Sequence, residues 1–210
     1  MNSPTVKSLL ADNDKIAGSS GVYHLLSRIY LREVDAELLH LLRSTSVRQA
    51  FVQAGGVLPT VNHGDDESSV IDSLAMDYCR LFLGPSGHFP PYQSVWQEGQ
   101  FQGSMAAQMQ EFIDLLSDGP PQDFGGVMLD HFGVQLSLMG TIADRVVEAN
   151  SGADGEMLVD VARVYFDLHL TWPHPFLESV GEHAQTDFYR SVAQMTQQFL
   201  LSEGQVLIGQ

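Results

Sequence analysis

The pair Asp130-His131 is the first place in the chain where neighbouring side chains could do acid–base chemistry. An aspartate that orients a histidine can make its imidazole a general base. Adjacent residues on a helix point about 100° apart, however, so these two side chains do not naturally face each other. Near a helix start, the Asp130 carboxylate would instead favour the positive dipole end or accept hydrogen bonds from free backbone N–H groups. We therefore predict local structural or binding roles for both residues. An all-α hydrolase or nucleotide-binding enzyme using Asp130 and His131 is the alternative.

The other residues that could bind a metal or attack a substrate form no recognisable pattern. The eight histidines stand at positions 24, 40, 63, 88, 131, 169, 174 and 183, without an i,i+4 pair beside a carboxylate, and HExxH is absent. Cys79 is the single cysteine, which excludes an internal disulfide, and we expect it to be a buried or half-buried structural residue. The glycines of Gly84-Pro85-Ser86-Gly87 do not match the phosphate-binding P-loop. The sequence predicts no catalytic residue, no metal and no cofactor.

The segment from Asp77 to Trp96 has the composition of a peptide-binding surface. An amphipathic helix runs into Gly84-Pro85, which must end it because proline cannot continue a helix. A short loop then presents apolar and aromatic residues, and tyrosine and tryptophan are common anchors in recognition surfaces. For Leu81 and Phe82, which lie on the helix, packing in the protein core is the alternative to a binding role. The aromatic residues that cluster around this helix end are Tyr78, Phe82, Tyr92 and Trp96.

The charge of the chain limits the partners that it can attract. Its 210 residues carry 26 acidic and 10 basic side chains, for a net charge of −16 at pH 7. Such a surface repels nucleic acid and anionic membranes, whereas it attracts basic peptides. Solubility alone is the alternative explanation of the acidity. Because we find no secretory signal and no run of roughly 20 apolar residues, we expect a soluble, cytoplasmic protein without stable membrane insertion.

Helical periodicity dominates the chain, which predicts an all-α fold. Val22, Leu25, Leu26 and Ile29 mark one face of a first helix. The stretch Ser117–Gly126, with two prolines and three glycines, is the candidate hinge between two helical lobes. We therefore predict an N-terminal lobe over 1–118, which carries the peptide-binding groove, a hinge over 119–126 and a C-terminal lobe over 127–210. We further expect a loop over 57–69, a long helix over 127–148, a helix over 156–170 and a final helix over 186–201.

Taken together, four motifs in this order resemble the TorD/DmsD family of redox-enzyme maturation chaperones. They read Y-x-x-LF-x-GP, PP-x-x-S-V-W, DHFG and HL-x-W followed by a Pro-rich segment. In this chain they are Tyr78, Leu81, Phe82, Gly84 and Pro85; Pro90, Pro91, Ser94, Val95 and Trp96; Asp130, His131, Phe132 and Gly133; and His169, Leu170, Trp172, Pro173 and Phe176. Phe188-Tyr189 also fits the closing helix of the family. One departure is that Val127 and Met128 stand where the family often has Glu-Pro.

The resemblance implies two helical lobes joined by a hinge, as a monomer or a lobe-exchanged homodimer. It also implies binding of the twin-arginine signal peptide of a molybdenum-containing reductase precursor, of the dimethyl sulfoxide or trimethylamine N-oxide reductase type. The precursor would be held in the cytoplasm until its cofactor is loaded and it is exported. Weak guanine-nucleotide binding is a further implied property. The implied signal-peptide-binding residues are Tyr78, Leu81, Phe82, Pro91, Tyr92, Ser94, Trp96, Asp130 and His131.

The charge agrees with this interpretation, since a twin-arginine leader has a basic start and an apolar core. The leading hypothesis is therefore a cytoplasmic chaperone that catalyses no reaction. The hydrolase or nucleotide-binding enzyme is one rival, and an interaction module within a larger respiratory complex is another.

Overall fold

The computed structural model describes residues 13–59, 66–116, 126–149 and 153–209, and within them the chain is all-α, as predicted. These residues form ten α-helices, a π-helical segment and no strands. The helices are α1 (Asn13–Leu31), α2 (Ala36–Arg43), α3 (Thr45–Gln53), α4 (Glu67–Tyr78), α5 (Gln93–Glu98), α6 (Ser104–Leu116), α7 (Phe132–Glu148), α8 (Ala153–His169), α9 (His174–His183) and α10 (Asp187–Leu207). The π-helical segment, Cys79–Leu83, directly continues α4 and ends before Gly84.

The structure differs from several of the sequence-based helix and loop predictions. The helix expected over 127–148 begins only at Phe132, because His131 caps it. The expected loop over 57–69 overlaps α4, whose first turn is held by Asp66, with its carboxylate accepting from the Ser69 N–H at 2.9 Å. Residues 93–98, expected to be loop, form α5. α9 was not predicted: it lies between the helices expected over 156–170 and 186–201, with Pro175 in its first turn, where proline is tolerated.

The chain divides into two compact units, each assembled from separate stretches. The first unit takes in the chain up to Leu31, Pro91–Pro173 and the chain from Leu200 onward. The second unit is Arg32–Pro90 with His174–Phe199. The predicted hinge falls mostly on residues 117–125, which lie outside the described residues, so the division into lobes at 119–126 stays a prediction.

In the first unit, α1 packs closely along α7. Two glycines one heptad apart on α7 permit this approach, because a Cβ at Gly133 would lie 2.6 Å from the Leu31 side chain and one at Gly140 would lie 2.8 Å from the His24 ring. The Ser27 hydroxyl donates to the carbonyl oxygen of Gly133 at 2.8 Å. The glycine of the DHFG motif therefore has a packing role: it brings α1 against the first turn of α7.

In the second unit, the end of α4 joins an aromatic core. The Tyr78 ring packs on Phe82 with 4.9 Å between centroids, and the Phe82 ring lies 6.1 Å from both Phe176 and Tyr189. Beside this core the fully buried Asp77 carboxylate accepts from the backbone N–H of Thr186 at 2.8 Å and from its hydroxyl at 2.7 Å. It also receives the Arg80 guanidinium at 2.8 Å. Asp77 thus fixes the turn before α10 against α4.

No helix in the described ranges combines the length and the apolar character that crossing a membrane requires.

Asp77→Asn should destabilise the protein by about 3 kcal/mol, because it removes the charge that the buried donors surround and turns an amide toward them. Urea unfolding followed by circular dichroism measures the loss. The matched control is Asp72→Asn on the exposed face of α4, which should change the free energy of unfolding by less than about 0.5 kcal/mol. Equal effects of the two substitutions would contradict a structural role for the Asp77 network.

Candidate functional site

Two segments of the first unit, Pro91–Ser94 and Asp130–Phe132, are joined by backbone hydrogen bonds. The N–H of Phe132 donates to the carbonyl of Pro91 at 2.7 Å, and the N–H of Gln93 donates to the carbonyl of Asp130 at 3.1 Å. Tyr92 and His131 form an isolated antiparallel bridge. Five of the predicted binding residues therefore come together, and we call this cluster the Asp130 site: Pro91, Tyr92, Ser94, Asp130 and His131.

Asp130 uses its carboxylate to anchor α5. Its Oδ2 accepts from the backbone N–H of Ser94 at 3.0 Å and also from the Ser94 hydroxyl. That N–H belongs to the first turn of α5, where N–H groups lack partners within the helix and the dipole favours negative charge. The expectation that Asp130 binds free backbone N–H groups is confirmed, although the helix concerned is α5 rather than its own. Its Oδ1 is buried and has no hydrogen-bond partner in the described parts of the chain.

His131 is the N-cap of α7 and is uncharged at pH 7. Its Nδ1 accepts from the backbone N–H of Gly133 at 3.0 Å, which requires a lone pair on that nitrogen. Burial lowers the pKa of His131 from 6.5 to about 4. Because Asp130 and His131 bond to different groups, the structure does not form the aspartate–histidine pair on which the hydrolase alternative depends.

A chain of buried side chains holds α5 against α7 and α8. Trp172 Nε1 can only donate, and it donates to Gln135 Oε1 at 2.9 Å, so the Gln135 amide nitrogen points to Gln93 Oε1 at 2.6 Å. His169 Nδ1 meets the same Gln93 oxygen at 2.9 Å and must therefore carry the proton. Burial lowers the pKa of His169 to about 4, against the opposing effect of the Asp130 charge.

These residues extend the site beyond the sequence-based set. Gln93 and Gln135 were missed, since a lone glutamine gives no pattern, and His169 was noted only as part of the HL-x-W motif. With both His131 and His169 neutral at pH 7, Asp130 leaves the cluster with one negative charge.

Tyr92 is the half-buried aromatic side chain of the Asp130 site. Its ring lies 5.0 Å from that of His131 and 5.5 Å from that of Phe101, which is 54% exposed. Burial, and then the Asp130 charge, raise the pKa of Tyr92, so its phenol is neutral at pH 7. Trp96 is also half-buried, on α5. The site thus presents neutral aromatic surface with one carboxylate nearby.

The remaining predicted binding residues belong to the second unit. Tyr78, Leu81 and Phe82 are all buried there, with Leu81 fully inaccessible. The positions of Leu81 and Phe82 therefore agree with core packing, the alternative to a binding role. A role of these three residues in binding stays a prediction.

Cys79 departs from expectation because it is exposed rather than buried. A hydrogen bond to Glu33 at 3.1 Å, followed by partial burial and the charge of that glutamate, raises the pKa of the thiol. A thiol held protonated is a poor nucleophile. Within the described residues, no group of three His, Cys, Asp or Glu side chains could hold a metal ion.

Comparison with known proteins gives one family and several chaperones. The family model described as nitrate reductase delta subunit matches residues 37–178. The chain is 27% identical over 203 residues to chaperone protein TorD of Shewanella oneidensis, covering 89% of this chain and 88% of that protein. It is 27% identical to TorD of Shewanella loihica, covering 94% of each chain. It is 29% identical over 130 residues to chaperone protein YcdY of Escherichia coli, and this match covers 62% of each chain, less than two thirds of YcdY.

Leu81→Ala should lower the free energy of unfolding by roughly 2–5 kcal/mol, because it opens a cavity in the core of the second unit. Leu83, two residues on and 64% exposed, provides the matched control: Leu83→Ala should change it by less than about 0.5 kcal/mol. Chemical denaturation of both variants measures these changes in the free energy of unfolding. A negligible loss for Leu81→Ala would return Leu81 to the set of surface contact residues.

Acidification should weaken the folded state through His131. Its folded pKa of about 4 lies below the reference value of 6.5, so the unfolded chain binds the proton first and stability falls from about pH 6.5 toward pH 4. One such proton contributes a slope of about 1.4 kcal/mol per pH unit. Protonation also removes the lone pair that caps α7.

His131→Asn keeps a capping side chain without the titration, so its stability should fall less steeply between pH 6.5 and pH 4.5 than that of the wild type. Urea unfolding at several pH values gives the slopes, with the exposed His40→Asn as control. Identical slopes in His131→Asn and the wild type would show that His131 is not the titrating group.

Proposed function

The chain belongs to the nitrate reductase delta subunit family, the family of the TorD and YcdY chaperones of redox-enzyme maturation, and on this premise we propose that it binds the twin-arginine leader of a molybdenum-containing reductase precursor. The precursor is of the dimethyl sulfoxide or trimethylamine N-oxide reductase type. The chain holds it in the cytoplasm until its cofactor is loaded and it is exported.

Membership of this family confirms the prediction that the protein is not an enzyme, because its relatives are chaperones, which catalyse no reaction. The hydrolase alternative loses its basis as well, since Asp130 and His131 are each committed to capping a helix.

The observation that carries the proposal is the charge at the Asp130 site. The Asp130 carboxylate is the charged member of a cluster whose two histidines are neutral at pH 7. Its negative charge also contributes to the raised pKa of the half-buried Tyr92. An arginine of the leader stacked on the Tyr92 ring would gain a cation–π contact with Asp130 behind it. The net charge of −16 adds a long-range attraction for the basic start of the leader.

Affinity capture tests the client first. The tagged chain is expressed in its native cytoplasm under anaerobic growth, and captured proteins are identified by mass spectrometry. We expect a reductase precursor that still carries its leader. Recovery of only mature enzyme would favour the respiratory-complex module, and recovery of nothing from cells that contain such precursors would overturn the proposal.

Tyr92→Ala should weaken binding of the leader at least tenfold while helix content stays unchanged. The probe is a labelled synthetic peptide with the leader sequence of the captured precursor, followed by fluorescence anisotropy. A second probe is the same peptide with both arginines changed to glutamine, called the Gln-Gln peptide.

A double-mutant cycle then isolates the contact between the arginine pair and Tyr92. The wild type should lose at least tenfold in affinity for the Gln-Gln peptide, and Tyr92→Ala should lose far less. The same loss in both proteins would remove Tyr92 from the arginine-binding site.

A further inference from the structure

α8 presents a second apolar face, on the side away from its core. Its buried face consists of Val159, Ala162, Phe166 and His169 with their neighbours. Met157, Val164 and Leu168 are nevertheless 60%, 53% and 41% exposed. With half-buried Val161 they follow the spacing i, i+4, i+7, i+11, which places them on one face of a helix. We call Met157, Val161, Val164 and Leu168 the α8 stripe.

Single exposed apolar side chains are normal on protein surfaces, whereas a contiguous exposed apolar patch is typical of an interaction site. From Met157 to Leu168 the α8 stripe extends about 16 Å, at 1.5 Å per residue. That length suits a helical peptide segment of about three turns.

The C-terminal end of α8 is bonded to the segment that carries Tyr92 and Ser94. The side-chain amide of Gln93 donates to the carbonyl oxygen of Leu168 at 2.7 Å, and Gln93 stands between Tyr92 and Ser94 in the chain. His169, the next residue after Leu168, bonds to the same Gln93 side chain. Gln93 thus ties the C-terminal end of α8, which carries Leu168, to the segment that carries Tyr92.

Charge along α8 complements a basic partner. Glu156, Asp160 and Asp167 are exposed and lie on the face beside the α8 stripe, at the spacing i, i+4, i+11. Arg163 offsets Asp160, with 3.1 Å between them, which leaves a net negative charge near each end of the stripe. An apolar segment that follows a basic one matches this combination of surfaces.

We propose that the α8 stripe binds the apolar core of the twin-arginine leader, next to the Asp130 site that binds its arginines. This inference rests on the proposed function and deepens it. It assigns the two chemically different parts of the leader to two adjacent surfaces of the first unit.

The test places a charge on the stripe and a matched charge elsewhere. Val164→Glu should weaken binding of the labelled leader at least tenfold, because the glutamate side chain must be buried against the apolar core. Val206→Glu on α10 is the control: Val206 belongs to the same unit and is 45% exposed, and its variant should bind within about twofold of the wild type. Thermal unfolding by circular dichroism verifies that both variants fold.

Met157→Glu provides a second variant at the far end of the α8 stripe and should also weaken binding. A leader in which serines replace the leucines of the apolar core should bind the wild type weakly and lose little more with Val164→Glu. If the wild type binds the leader and both stripe variants match Val206→Glu, this inference is overturned while the proposed function stands. If the wild type binds no leader at all, the proposed function itself fails.

Discussion

The first unit is organised around a carboxylate that has been taken out of water. Burying a charge is costly unless hydrogen bonds compensate it, and Asp130 obtains two of them from Ser94 at the start of α5. This requirement fixes Pro91–Ser94 beside Asp130–Phe132, which the backbone bonds between the two segments then reinforce. Tyr92 is set in place next to His131 as a result. The geometry of the proposed binding site thus follows from the need to satisfy one aspartate.

The polar network behind this carboxylate has a defined direction. Trp172 can only donate, so it orients Gln135, which orients Gln93, which in turn sets the tautomer of His169. Each bond fixes the orientation of the next side chain, and buried networks of this kind rigidify a core. The rigid support extends from the end of α8 to the beginning of α5. Both surfaces that we assign to the leader are attached to it.

Local chemistry in the sequence predicted the helix ends that depend on a single residue or a short motif. Gly84-Pro85 ends the helical segment that begins with α4, as expected, and Asp35 caps α2 through the Leu38 N–H at 2.8 Å. The existence of α5 could not be read in the same way, because the bond that anchors its first turn joins Ser94 and Asp130, which are 36 positions apart. Five of the nine candidate binding residues cluster in the Asp130 site. The burial of Tyr78, Leu81 and Phe82 arises from rings contributed by α9 and α10, which local periodicity does not reveal.

The hydrogen bond between Cys79 and Glu33 affects how readily the Cys79 thiol is oxidised. The thiolate, rather than the thiol, is the form that reacts with oxidants and attacks disulfides, and this bond disfavours the thiolate. Cys79 is the single cysteine of the chain and is exposed, so a reactive thiolate there would link copies of the protein through a disulfide whenever conditions became oxidising. With the proton retained, the formation of such a disulfide at Cys79 is slowed.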